Sequence, residues 1–313
     1  MSKIEKALNK ARAGGLQVVP SQSPRVAREN PNEGLPAAVN TTALTEARRN
    51  ATAAIARMKE KSLLDKQALA RNQIIYPEME ESGTVRAFRE LRTKIIQKTQ
   101  GRNCVIMVTS VVGGGGSSFV ATNLGAAFSF DAGKTALLMD CNLRNPSLHR
   151  LFGEGSFPGL TDYMDNSGMD VAEIIHPVGI ERLRVIPAGG QREIATEYFS
   201  SFKLKQMLVS IKERYHERYI IIDAPPMTES ADSQILAELC DYVLLVVPYG
   251  RVTDSQVNVC AKSFSDKQLL GIVFNNETVP PRLNWRRILN PLNALRKIIF
   301  RPATSKSVPL SEK

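Results

Sequence analysis

Four consecutive glycines, Gly113, Gly114, Gly115 and Gly116, followed by Ser117, Ser118 and Phe119, form the stretch best suited to chemistry. Glycine adopts φ > 0 without strain and lets a ligand come close to the backbone. A glycine turn that opens a helix aims several N–H groups and the helix dipole at one point, which favours phosphate. Two acids extend the set: Asp140 and Asp223 each close an apolar run. A carboxylate at the carboxyl end of a strand suits a Mg2+ held beside phosphate, and the Ser118 hydroxyl can serve the same ion. Arg144 follows Asp140 closely and is expected, with it, to face the glycine loop.

The elements that must position these residues read as one βαβ unit from Val105 to Asp140. Val105 to Val108 is a short apolar run rich in β-branched residues. From Ser118, Phe119, Leu124, Ala127 and Phe128 recur at roughly helical spacing. Ala136 to Asp140 is the second strand. Tyr219 to Asp223, Asp241 to Val247 and Leu269 to Asn275 are continuous apolar runs, as parallel strands covered on both faces should be. Asn275 ends the last of them, either touching a base edge or serving as a turn residue. The pattern predicts an α/β domain over residues 81–276, with a mostly parallel central sheet flanked by helices.

A nucleoside-triphosphate loop reads G-x-x-x-x-G-K-[ST], with its lysine on the β- and γ-phosphates. Here Gly116-Ser117-Ser118 stands where Gly-Lys-Ser would be. A charge-assisted bond to phosphate is roughly twice as strong as a neutral one, so nucleotide affinity and turnover should both be weakened. Gly133-Lys134-Thr135 is no substitute, because it precedes a strand instead of opening a helix.

The formal charge of +10 is concentrated at the two ends, before residue 81 and after residue 276; the stretch between is close to neutral. No basic stripe interleaved with aromatic residues argues for nucleic acid as a partner. Cys104, Cys141, Cys240 and Cys260 lack C-x-x-C spacing and read as buried, reduced thiols of a cytoplasmic protein. His149, His176 and His216 lack metal-ligand spacing and read as structural. No apolar run approaches the roughly 18 residues of a spanning helix. Residues 1–80 read as an arm: a capped amphipathic helix over residues 2–15, a Pro/Ser/Asn-rich linker, and a helix-prone stretch over residues 42–70. Next, Phe88, Leu91, Ile95 and Ile96 make a core-facing stripe, with Arg89 and Arg92 together on the neighbouring surface. The basic tail, residues 277–313, carries an amphipathic stretch at 282–302. Asn290-Pro291 there divides two short helices, which either lie on an anionic membrane surface or pack back on the domain.

These residues resemble the cytoplasmic P-loop domain of bacterial tyrosine kinases of capsule and exopolysaccharide synthesis, relatives of the MinD/ParA ATPases of the SIMIBI class. The resemblance spans residues 85–276. It rests on Thr109-Ser110, on LLMDCNLRNPSLHRLFG at 137–153, on Pro187-Ala188-Gly189, on Ser200-Ser201-Phe202 and on IIDAPP at 221–226. The opening MSKIEKALNKARAGG is similar to the stand-alone kinases of exosortase-linked loci. The resemblance implies ATP and Mg2+ as cofactors, with Gly113 to Phe119 and Asn275 around the nucleotide. It implies catalytic roles for Asp140 and Asp223, with Arg144 assisting, and a metal set of Ser118, Asp140 and Asp223. Homo-oligomer contacts would use Arg89 and Arg92. The partner would be an inner-membrane polysaccharide chain-length or co-polymerase protein, met at the cytoplasmic face of that membrane. Four departures stand out: Ser117 for the loop lysine, Asn142 for the second acid of a DxD pair, Arg86 for a ring-contact glutamate, and no tyrosine beyond Tyr249. They imply a degenerate paralogue, a regulator with weak or lost phosphotransfer. The alternatives are an active autokinase that borrows its positive charge, and a MinD-like membrane adaptor.

Overall fold

The computed structural model describes Met58, residues 64–79, 82–151 and 157–276, and the backbone of Ile298–Ile299. Alternation along the strands organises the centre. In β1 (Val105–Ser110), Val105 and Met107 join one apolar cluster while Ile106 and Val108 join the other, and the whole strand is buried. Residues of β2 (Thr135–Asp140) and β5 (Arg218–Asp223) divide between the same two clusters. With β3 (His176–Pro177), β4 (Leu183–Ile186), β6 (Tyr242–Pro248), β7 (Leu269–Asn275) and β8 (Ile298–Ile299), they form a sheet of order β3-β4-β2-β5-β1-β6-β7-β8. The short β3 runs antiparallel to β4, and the other pairings are parallel. The predicted fold class is the observed one.

One face of the sheet is covered by α1 (Lys66–Arg71), α2 (Gly83–Lys98) and α3 (Ser117–Ser129). Residues of α4 (Leu160–Asp165), α5 (Thr196–Phe199), α6 (Phe202–Arg214) and α7 (Asp232–Glu238) pack on the other. A smaller cluster beneath α8 (Asp254–Lys262) joins Cys260 to Val111, Leu245 and Val247. Ser82 caps α2 through a bond from Val85 N, and Phe88, Leu91 and Ile95 are buried as their spacing predicts. Helix α3 is buried almost all round, between α2 and the sheet. Gly125 permits this, since a Cβ there would sit 3.1 Å from Leu183 Cδ1.

Three expectations change. Leu69, Ile74 and Ile75, read from the sequence as part of the arm, are buried in the main core. Asn123 of α3 accepts from Ile75 N at 2.8 Å and donates to Gln73 O at 3.0 Å, fastening that strap. Two isoleucines after a six-residue helix are too short a pattern to announce a core contact. Strand β7 is only half-buried along most of its length, because it lies next to the sheet's edge with two-residue β8 beyond. In the tail, Ile298–Ile299 pair with Val273 and Phe274 as a strand, not as part of a helix. The rest of the tail, the 2–15 helix, the linker and most of the 42–70 stretch lie outside the described residues. The four cysteines are free and buried. No helix among the described residues is long and apolar enough to cross a membrane.

Candidate functional site

The glycine loop leaves β1 at the carboxyl edge of the sheet and runs into α3. Gly114 has φ +64° and Gly116 φ +91°, values that strain any residue with a side chain. Thr109 Oγ1 donates to Pro225 O at 2.7 Å, Met227 N to Ser110 O at 2.8 Å and Thr228 Oγ1 to Val111 O at 2.8 Å. These bonds fasten the start of the loop to the segment that follows β5. From the other side, buried Asn275 donates Nδ2 to Gly115 O at 3.0 Å. A Cβ on Gly116 would collide with that amide. Asn275 thus braces the loop with one of its amide N–H groups. Gly116 gives α3 no side-chain cap, which leaves the first N–H groups of the helix available to an anion.

Asp140 and Asp223 sit opposite one another in the β2–β5 register, both at 0 % exposure. Asp140 Oδ1 accepts from Asn142 N at 3.1 Å, and Oδ2 accepts from Ser147 N and Leu148 N, each at 2.9 Å. Neither oxygen of Asp223 has a hydrogen-bond partner. The hydroxyls of Ser118 and Ser117 lie near enough to favour its charged form, without completing a bond of ordinary geometry. Burial raises the Asp140 pKa, and the bonds from Leu148, Ser147 and Asn142 oppose that rise. Asp223 is pushed well above the carboxylate range, first by burial and then by the charge of Asp140. A bare buried carboxylate beside a second acid and a serine hydroxyl fits Mg2+, a hard cation that takes few protein oxygens and completes its shell with water and phosphate. Ser118 and Asp223 have free oxygen capacity for it. Asp140, already engaged, contributes negative charge from behind. No group of three His, Cys, Asp or Glu side chains gathers here or elsewhere among the described residues.

No family-wide sequence profile matches the chain. Over 197 residues, however, it is 32% identical to the tyrosine-protein kinase CpsD of Streptococcus agalactiae serotype III (strain NEM316), covering 61% of this chain and 83% of that one. The chain belongs to the bacterial tyrosine-protein kinase family. A longer relative, tyrosine-protein kinase wzc of Salmonella typhi, is 29% identical over 195 residues, which is 27% of its length. The solved kinase domain of VpsO is 26% identical and superposes with a TM-score of 0.54 over 61% of this chain and 94% of that one. The kinase domain of Escherichia coli tyrosine kinase ETK shares the fold at 19% identity, with a TM-score of 0.55 over 79% of this chain and 93% of that one.

In this member of the tyrosine-kinase family, other predicted site residues are placed as follows. Arg144 does not bond to the glycine loop. Its Nε lies 3.6 Å from Asp232 Oδ2, a buried carboxylate that also accepts from Thr196 Oγ1 at 2.7 Å. The Phe119 ring packs edge-on against Phe88 at 5.9 Å. Arg89 donates to Pro77 O at 3.1 Å and Arg92 to Ala127 O at 2.9 Å, both within this chain. Arg86 pairs with Glu90 on the surface of α2 at 3.1 Å. Two residues at the loop were missed by sequence reasoning. Arg251 donates to Gly113 O at 3.0 Å and to Gly114 O at 2.8 Å. The Glu229 carboxylate lies where a Cβ of Gly113 would be. Neither belongs to a spaced motif. The available signal was weak: each follows shortly after the end of a predicted strand.

Proposed function

We propose that this chain is a P-loop regulator of exopolysaccharide or capsule synthesis or export that holds ATP with Mg2+ and transfers phosphate weakly or not at all. One observation supports this most: the amide cradle is built and a bare Asp223 waits beside it, while Ser117 stands where the loop's cation belongs. The amides of Gly113 to Ser118 would bind the phosphates, and Ser118 with Asp223 would hold the metal. When bound, Mg2+ supplies positive charge against both the phosphates and the Asp140–Asp223 pair. Asn142 in place of a second acid removes the group best placed to take a proton from an attacking hydroxyl.

The family membership supports a partner at the membrane, of the chain-length or co-polymerase kind, and self-association through the α2 face that carries Arg89 and Arg92. Residues 282–297, ahead of the strand Ile298–Ile299, would add a peripheral contact with anionic lipid. The test is a calorimetric titration of ATP with Mg2+, run beside a turnover assay and phosphotyrosine detection, on the unmodified protein and on Ser117→Lys. Saturable binding, turnover near background, and a gain of turnover in Ser117→Lys are expected. Brisk turnover and tyrosine phosphorylation by the unmodified protein would overturn the regulatory reading.

A further inference from the structure

We infer that Arg251 supplies the positive charge that Ser117 cannot, placing its guanidinium on the terminal phosphates of a nucleotide held by the glycine loop. The inference rests on the nucleotide reading above and goes beyond it by naming the missing cation. Strand β6 lies next to β1 in the sheet, so the turn after Pro248 opens beside the turn after Ser110. That second turn is held by Tyr249 N donating to Asn275 O at 2.8 Å and by Gly250 at φ +73°. Asn275 is also the residue whose side chain braces Gly115, so one residue fixes the two turns relative to each other.

Across this frame Arg251 reaches Gly113 O and Gly114 O with both terminal nitrogens. A guanidinium carries five N–H donors; two are engaged with the loop carbonyls and three remain. It is always charged, and its planar fork matches phosphate oxygens. The carbonyls therefore hold a permanent cation against the glycine loop, within a side chain's swing of a phosphate bound there. Arg251 is exposed, so an arriving ligand can draw the side chain inward. Arg144, the cation expected there from the sequence, lies instead with its Nε 3.6 Å from Asp232 Oδ2.

The rival role is a plain clamp on the loop. Calorimetric titrations of ATP and of AMP, each with Mg2+, separate the two for the unmodified protein, Arg251→Gln, Arg251→Lys and the double variant Arg251→Gln/Ser117→Lys. Thermal unfolding without nucleotide is read in parallel. In Arg251→Gln, ATP affinity is expected to fall about ten- to a hundredfold, with AMP affinity and the unfolding midpoint little changed. Arg251→Lys should retain part of the affinity, and the added Ser117→Lys should restore it. Unchanged ATP affinity in Arg251→Gln would overturn the inference. So would equal losses for ATP and AMP that Ser117→Lys fails to restore, the signature of a clamp. If the unmodified protein binds neither nucleotide, the nucleotide reading itself fails and the inference with it.

Discussion

Strands β2 and β5 end at the same level of the sheet in the same residue type, equally buried, yet the two carboxylates live differently. Asp140 takes three backbone N–H groups, and Asp223 takes none. The chain that follows each strand explains the contrast. After Asp140, residues 141–148 fold back over the strand end and deliver the amides of Asn142, Ser147 and Leu148. After Asp223 come Ala224, Pro225 and Pro226. Ala224 N is spent on Val108 O, the prolines have no N–H, and Met227 N goes to Ser110 O. One acid has become an anchor for a loop. Its neighbour keeps its lone pairs for something that arrives from outside.

The contrast breaks first, and most visibly, at Asp140. Asp140→Ala would leave one buried and two part-buried amides without their acceptor and should cost about 2–3 kcal/mol in urea unfolding. A cost no larger than that of Asp223→Ala would show that the two sites are alike after all. Asp223→Asn should move the other way. Removing an unpartnered buried charge should stabilise the Mg2+-free protein by about 1–2 kcal/mol, and any stabilisation by added Mg2+ should disappear.

The pH dependence carries the same signature. Because the folded-state pKa of Asp223 is raised, its contribution to stability is fully present below the ordinary carboxylate range. That contribution is lost as pH climbs through the raised value. Asp140 is also raised, so it acts in the same direction. Thermal unfolding of the Mg2+-free protein should therefore show a midpoint that falls as pH rises over that window. The slope should be shallower in Asp223→Asn. An identical slope in both proteins would remove Asp223 as its source.

Smaller effects sharpen the frame. Asn275→Ala should cost about 1 kcal/mol for the lost bond to Gly115, read by denaturant unfolding, and should loosen the loop without touching either acid. Arg86→Ala, which breaks an exposed pair within α2, should change stability by no more than about 0.5 kcal/mol. It sets the baseline against which the others are judged.

The βαβ unit, the two strand-end acids, the α2 stripe of Phe88, Leu91 and Ile95, and the kinship to tyrosine kinases were all legible before any coordinates. Each is written in contiguous residues: a period of two along a strand, a period near 3.6 along a helix, a glycine run between them. The sequence by itself therefore determined the central βαβ unit and the strands around it, and that a glycine run with Ser117 after it opens one of the helices. It could not show that Asp223 is bare while Asp140 is saturated, that Arg144 turns to Asp232, that Ile74 and Ile75 enter the core, or that Arg251 reaches a loop 137 residues away. Those outcomes depend on strand order and on the course of the connecting turns. Only the assembled sheet brings β6 beside β1 and β5 beside β2, and a side chain's partners are whatever that assembly leaves within reach.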